Sequence, residues 1–243
     1  MSRYFITFCY DGAAYHGWQV QPNGNSVQAE LQKAMAVLMR ETVEVVGAGR
    51  TDAGVHAHKM VAHFDSEQQF DAQQLAYKLN KLLPRDIAVS EIHPVPEDMH
   101  ARFSARSRTY HYFIHTNKNP FIRRYSCELH YKLDFDLMNE AGNILCTYHD
   151  FGAFCKSHTD VKTTLCSVTQ AQWLEIEPHR YCFVITADRF LRNMVRAVVG
   201  TLVDVGRGRL TLEEFANVIE SKKRTNAGES MPAHALFLHD IVY

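Results

Sequence analysis

TVEVVGAGRTDAGVHAHKMVAHF, residues 42–64, reads as a strand, a glycine-rich loop and a second strand. The flanks, 42–46 and 60–64, have strand-like patterning, and the loop between them holds Gly47, Gly49 and Gly54. Glycines at that density allow positive φ and close backbone approach, which a constrained connection between strands requires. On the N-terminal side, residues 3–10 place Tyr4, Ile6, Phe8 and Tyr10 on one face of a strand. Ser26 then caps a helix whose apolar positions Val27, Leu31, Ala34, Met35 and Leu38 recur at helical spacing. On the C-terminal side, Asp71 opens a helix through Leu75, Leu79 and Leu82 that Pro84 stops, and residues 87–92 form a strand. The order is strand, helix, strand, strand, helix, strand.

That order recurs in the second half. Residues 108–116 alternate as a strand, and 134–148 form a helix with Leu137, Met138, Ala141, Ile144 and Leu145 inside. Residues 166–176 and 181–186 make a hairpin around Glu177-Pro178-His179-Arg180. A helix from about Leu191 carries Val195, Val198, Val199 and Leu202 and ends at Gly206. A short helix over 211–221 and a closing strand over 236–243 complete the chain. The halves share topology and no visible sequence identity. The expectation is α+β, two split βαβ, ferredoxin-like halves with antiparallel sheets, joined near residues 97–103: an N-terminal half over 1–99 and a C-terminal half over 100–243.

Composition bounds the partners. Apolar residues are 46% and charged residues 22% of 243, and no stretch approaches the ~20 apolar residues of a membrane helix. The N-terminus enters a strand pattern at once, so no signal peptide is expected and the cytoplasm is the expected location. Six cysteines without a C-x-x-C pair read as free thiols, not a zinc site. His56, His58 and His63 sit close together but match no known ligand pattern, so no metal is expected. Net charge is −1, yet the stretch 99–127 has no Asp or Glu and carries Arg102, Arg106, Arg108, Lys118, Arg123 and Arg124. These cations interleave with Phe103, Tyr110, Tyr112, Phe113, Phe121 and Tyr125. A solvated face would look similar, but cations for phosphates and rings for unstacked bases are also what RNA recognition uses.

Asp52 is the chemically suggestive residue of the loop. If the stretch is extended, Arg50 and Asp52 point the same way. A surface ion pair on a turn would account for them. So would a carboxylate nucleophile that forms a covalent intermediate. The spacing matches neither a P-loop nor a dinucleotide fingerprint, and Asp52-Ala53-Gly54 lacks the hydroxyl residue of an aspartic-hydrolase dyad.

Residues 49–57, GRTDAGVHA, resemble the signature of the tRNA pseudouridine synthase A family. The likeness continues through Tyr10-Asp11-Gly12, Tyr15-His16-Gly17-Trp18-Gln19, Asp86-Ile87-Ala88-Val89, His100-Ala101-Arg102-Phe103-Ser104-Ala105 and Tyr110-His111-Tyr112. It resumes at His149-Asp150-Phe151-Gly152-Ala153-Phe154 and at residues 190–200, FLRNMVRAVVG, and so spans nearly the whole chain. Where the family usually has Gly-Leu before its last strand, this chain has Ala235-Leu236. The resemblance implies an isomerase of anticodon stem-loop uridines, two ferredoxin-like halves facing a basic cleft, a homodimer, and no cofactor or metal. It implies Asp52 as nucleophile, attacking either C1′ of the sugar or C6 of the base, and Arg196 as its ion-pair partner. It further implies Tyr110 stacked on a flipped uracil, Arg50 in the gap that the base leaves, and Leu236 closing the pocket. The contrasting expectation is a non-catalytic ferredoxin-like RNA-binding module.

Overall fold

The computed structural model describes residues 1–22, 24–156 and 162–243. The fold is α+β with a mostly antiparallel arrangement of strands, as expected. Two compact units divide the chain: residues 1–106 with 238–243, and residues 107–237. Patterning along the chain alone places the divide between 1–99 and 100–243. The last segment returns to the first unit because strand residues are grouped by what they pair with, which chain order does not reveal.

In the first unit, strand β1 (Ser2–Tyr10) lies between β3 (His56–Ser66) and β4 (Ile87–Val95), antiparallel to both. A two-residue strand β2 (Val46–Gly47) pairs with β3. Helix α1 (Val27–Met39) packs against α2 (Ala72–Leu82), and α2 against β4. Local chemistry sets the helix starts. The Ser26 side chain accepts from Ala29 N, and Asp71 accepts from Gln73 N and Gln74 N, which satisfies amides that have no partner inside the helix. Ile6, Phe8, Leu31, Met35, Met60 and Leu79 are sealed from solvent and form this unit's core.

The second unit orders its strands β5 (Ser107–His115), β8 (Arg180–Ala187), β7 (Val168–Glu177), all antiparallel neighbours. A short β6 (Cys127–Glu128) runs parallel to β5. Helix α3 (Phe135–Leu145) packs against β7, α4 (Met194–Gly206) and α5 (Leu212–Ser221). Asp134 caps α3 through Leu137 N, and α5 starts with a complete capping box between Thr211 and Glu214. The final strand β9 (Leu236–Val242) lies next to β3 through its residues in the first unit.

Several boundaries differ from the periodicity reading. The expected strand over 42–46 contracts to β2, while β3 starts at His56 and not Met60, because β1 pairs with the end of the loop through Tyr10 and Ala57. Strand β4 extends past Ile92 to include Pro94, which an outermost strand tolerates because the missing N–H costs no ladder bond there. Leu82 points outward and Leu83 inward, since the chain leaves the helix at Leu83 with ψ 151°.

One local device occurs in both units. Asn80 on α2 donates Nδ2 to Val89 O at 2.7 Å and accepts from Val89 N at 2.7 Å. Asn139 on α3 donates to Trp173 O at 3.3 Å and accepts from Trp173 N at 2.7 Å. In each unit an asparagine amide takes the place of a missing strand neighbour, satisfying both backbone groups of one residue on an outermost strand.

Candidate active site

The loop between β2 and β3 is clamped at Thr51. The residue is only 8% exposed, and its Oγ1 shares a 2.8 Å hydrogen bond with the Tyr10 hydroxyl. Its carbonyl accepts from Trp18 N at 3.3 Å. The neighbouring segment comes this close because it is glycine there: a Cβ on Gly17, at φ +95°, would fall on the Thr51 carbonyl, and one on Gly12 on that of Val55. Gly54 N donates to Tyr15 O, Val55 N to Asp52 O, and Ala48 N to Val61 O. Thr51 therefore faces inward, while Asp52 beside it is half-buried and Arg50 is exposed. The carboxylate stands on a backbone fixed from both sides.

Beyond the loop, His56 is buried with Nδ1 2.9 Å from Asp11 Oδ1 and 3.0 Å from Gly12 N. Tyr15 donates to Asp86 Oδ1 at 2.6 Å, and burial together with that carboxylate holds its phenol protonated well above the ordinary range. These contacts join the segment 10–18 to the loop and to the start of β4. The three neighbouring histidines of the sequence separate in space. His58 Nδ1 meets His239 Nδ1 at 3.2 Å, and His63 Nδ1 accepts from Ala101 N at 3.2 Å. Among the described residues no group of three or more His, Cys, Asp or Glu is arranged to hold a metal ion.

The second unit carries Tyr110, Arg196 and Leu236. Tyr110 lies on β5 opposite Ile185 of β8, half-buried, with the Phe190 ring edge-on at 5.0 Å. Arg196, in the first turn of α4, donates Nε to Met231 O at 2.6 Å, and Met231 N returns a bond to Arg196 O at 3.1 Å. Leu236, 5% exposed, starts β9 directly after the 3-10 turn Ala233–Ala235. Ala235 is not among the residues of positive φ, so the alanine in place of the family's glycine brings no left-handed strain. The pattern of the sequence names Tyr112 only as one ring of the basic run and of the Tyr110-His111-Tyr112 motif, and gives no sign of its contact with the segment before Leu236. The Tyr112 side chain is fully buried, and its hydroxyl donates to Pro232 O at 2.9 Å.

Comparisons with known proteins place the chain among RNA-modifying isomerases. The profile described as tRNA pseudouridine synthase matches residues 6–104 and 146–243. A tRNA pseudouridine synthase A of Parabacteroides distasonis is 56% identical over 100% of this chain and 96% of its own length. The Bacteroides thetaiotaomicron protein of that name is 55% identical, covering 100% and 91% respectively, and that of Bacillus subtilis is 41% identical over 99% of each. The chain belongs to the tRNA pseudouridine synthase family, whose reaction isomerises uridine to pseudouridine in tRNA.

Proposed function

We propose that the chain forms pseudouridine in the anticodon stem-loop of tRNA with Asp52 as the nucleophile. The N1–C1′ bond of the target uridine breaks, the base turns, a C5–C1′ bond forms, the C5 proton is released and N1 takes up a proton. Asp52 forms a covalent adduct at C1′ or C6 during this exchange and is regenerated at its end. The observation that carries the reading is the clamp on Thr51, which fixes the backbone on which the carboxylate stands. A nucleophile held in place loses little freedom at the transition state, which is where positioning contributes to rate.

In this reading Tyr110 stacks on the extruded uracil, and replacing lost stacking is what base flipping requires. Arg196 pairs with Asp52 and keeps it ionised, Arg50 fills the gap left by the base, and Leu236 closes the pocket under it. Two ferredoxin-like halves flank a basic cleft and the protein works as a cytoplasmic homodimer without a cofactor. The strand orders β4-β1-β3 with β2 on β3, and β5-β8-β7, support the ferredoxin-like reading, as does the asparagine clamp common to both units. Residues 1–99 would then carry the catalytic loop, and residues 100–243 the stacking tyrosine and the arginine. Nucleotide-resolution mapping of pseudouridine in unmodified tRNA treated with the pure protein tests this. The expected product lies in the anticodon stem-loop; modification confined to another arm would refute the substrate assignment, and no modification would leave an RNA binder.

A further inference from the structure

The segment of residues 227–232, Ala-Gly-Glu-Ser-Met-Pro, has no helical or strand structure, yet it is bonded along one side of α4. Gly228 N donates to Thr201 Oγ1 at 2.9 Å, and Thr201 in turn donates to Ala197 O at 2.8 Å. A Cβ on Gly200 would collide with Glu229 O, so the glycine is what lets the two backbones meet. Asn193 Nδ2 donates to Ser230 Oγ at 2.6 Å; although it stands at the N-cap of α4, its side chain serves this segment and makes no capping bond. Arg196 and Met231 exchange the two bonds already described. From outside α4, Arg224 donates to Ala227 O, Gly228 O and Ser230 Oγ, and Tyr112 donates to Pro232 O.

Positions 193, 196, 200 and 201 lie on one face of a helix, so this strap is zipped to a single stripe of α4. Its two ends matter for the reaction. Near its C-terminal end it bonds the Nε side of the Arg196 guanidinium and so constrains the direction of the planar fork. Four residues after Pro232 the chain reaches Leu236, with only the 3-10 turn between. Tyr112 anchors Pro232, the last residue before that turn, and shares β5 with Tyr110, two residues away and hence on the same side of the strand.

We infer that Tyr112 is a positioning residue for pseudouridine formation: its hydroxyl holds the strap 227–232 at Pro232 and thereby sets both the orientation of Arg196 and the placement of Leu236. Burial pushes the Tyr112 phenol far above its ordinary range, so it stays a donor at every working pH. This inference rests on the roles given above to Arg196 and Leu236. Substitution of Tyr112→Phe removes the donor and keeps the ring in the core.

The test is a pair of double-mutant cycles read by single-turnover rate at saturating enzyme, with tRNA affinity and melting temperature measured in parallel. Tyr112→Phe should lower the rate about tenfold, within what displacement of a positioned group by less than an ångström costs, and leave tRNA affinity within about twofold. In the Leu236→Ala and Arg196→Lys backgrounds the same substitution should cost clearly less than the full tenfold, because one of the two groups it acts through is already altered. Thr201→Val, which loosens the strap from the other side, should show the same coupling. Full multiplication of the effects in both backgrounds, or an unchanged rate in Tyr112→Phe, would overturn the inference, since a core defect lowers the melting temperature without coupling to those residues. If Leu236→Ala alone reacts at the wild-type rate, the role given to Leu236 falls and the Arg196→Lys cycle decides the strap by itself.

Discussion

Asp52 and Thr51 differ sharply within the loop: the threonine is buried and bonded, and the aspartate beside it is only half-buried. Tyr110 is the residue whose role most needs separating from packing, since it already meets Phe190 edge-on at 5.0 Å. Tyr110→Phe keeps the ring and should retain turnover to a large degree, whereas Tyr110→Ala should lose ~1–3 kcal/mol of stacking on the flipped base. Wild-type single-turnover rates in the alanine variant would make Tyr110 a packing residue only. His63 gives a pH dependence of stability. It is 5% exposed, it accepts from Ala101 N, and burial, with His100 and Arg3 nearby, lowers its pKa from 6.5 to about 4. In that window the unfolded chain holds a proton on this residue that the folded chain does not, so stability falls as pH drops from 6.5 toward 4. The loss is on the order of 3 kcal/mol. His63→Gln, which keeps an acceptor but cannot ionise, should flatten the urea-midpoint profile between pH 7 and pH 4.5 relative to wild type. Parallel profiles for the two proteins would contradict the assignment.

At the level of helices and strands, the two asparagine clamps tie α2 to β4 and α3 to β7. Asn80→Ala or Asn139→Ala leaves an N–H and a carbonyl of an outermost strand without their amide partner, which should cost about 1–3 kcal/mol and speed hydrogen exchange at Val89 or Trp173. Unchanged protection at those amides would mean that water replaces the side chain without cost. Much of this level was legible in the sequence. Ser26, Asp71 and Thr211 begin helices through bonds that reach only two or three residues ahead, so a local reading finds them. The short β2, the parallel β6 and the early start of β3 were not legible, because each depends on a partner strand far away in the chain. The strap 227–232 hides for the same reason. Asn193 looks like an ordinary helix cap, and only the fold brings Ser230 to it. Among the candidate site residues, Asp52 and Arg50 stand out by their glycine-rich context, while the roles proposed for Arg196, Tyr110 and Leu236 come only from the family resemblance. A lone arginine on an apolar helix or a tyrosine in a strand has too many structural uses to be singled out by pattern.

For the chain as a whole, a net charge of −1 says little about a polyanionic partner, whereas the distribution of charge says more. Lys118, Arg123 and Arg124 are exposed on the segment between β5 and β6, alongside Phe121, which is 90% exposed. Such a surface suits the phosphates and bases of RNA. Affinity resting on contacts of this kind does not depend on the carboxylate proposed as nucleophile, so binding and turnover should come apart when only that carboxylate is changed. Asp52→Asn tests this with tRNA carrying tritium at C5 of its uridines, the atom whose hydrogen must leave when the new bond to C1′ forms. The wild-type protein should release tritium from the anticodon stem-loop uridines. Asp52→Asn should release none while binding the same tRNA with affinity within about threefold of wild type, since the phosphate contacts that dominate affinity persist. Tritium release by the pure asparagine variant, beyond what spontaneous deamidation to aspartate supplies, would contradict the assignment of Asp52 as the nucleophile.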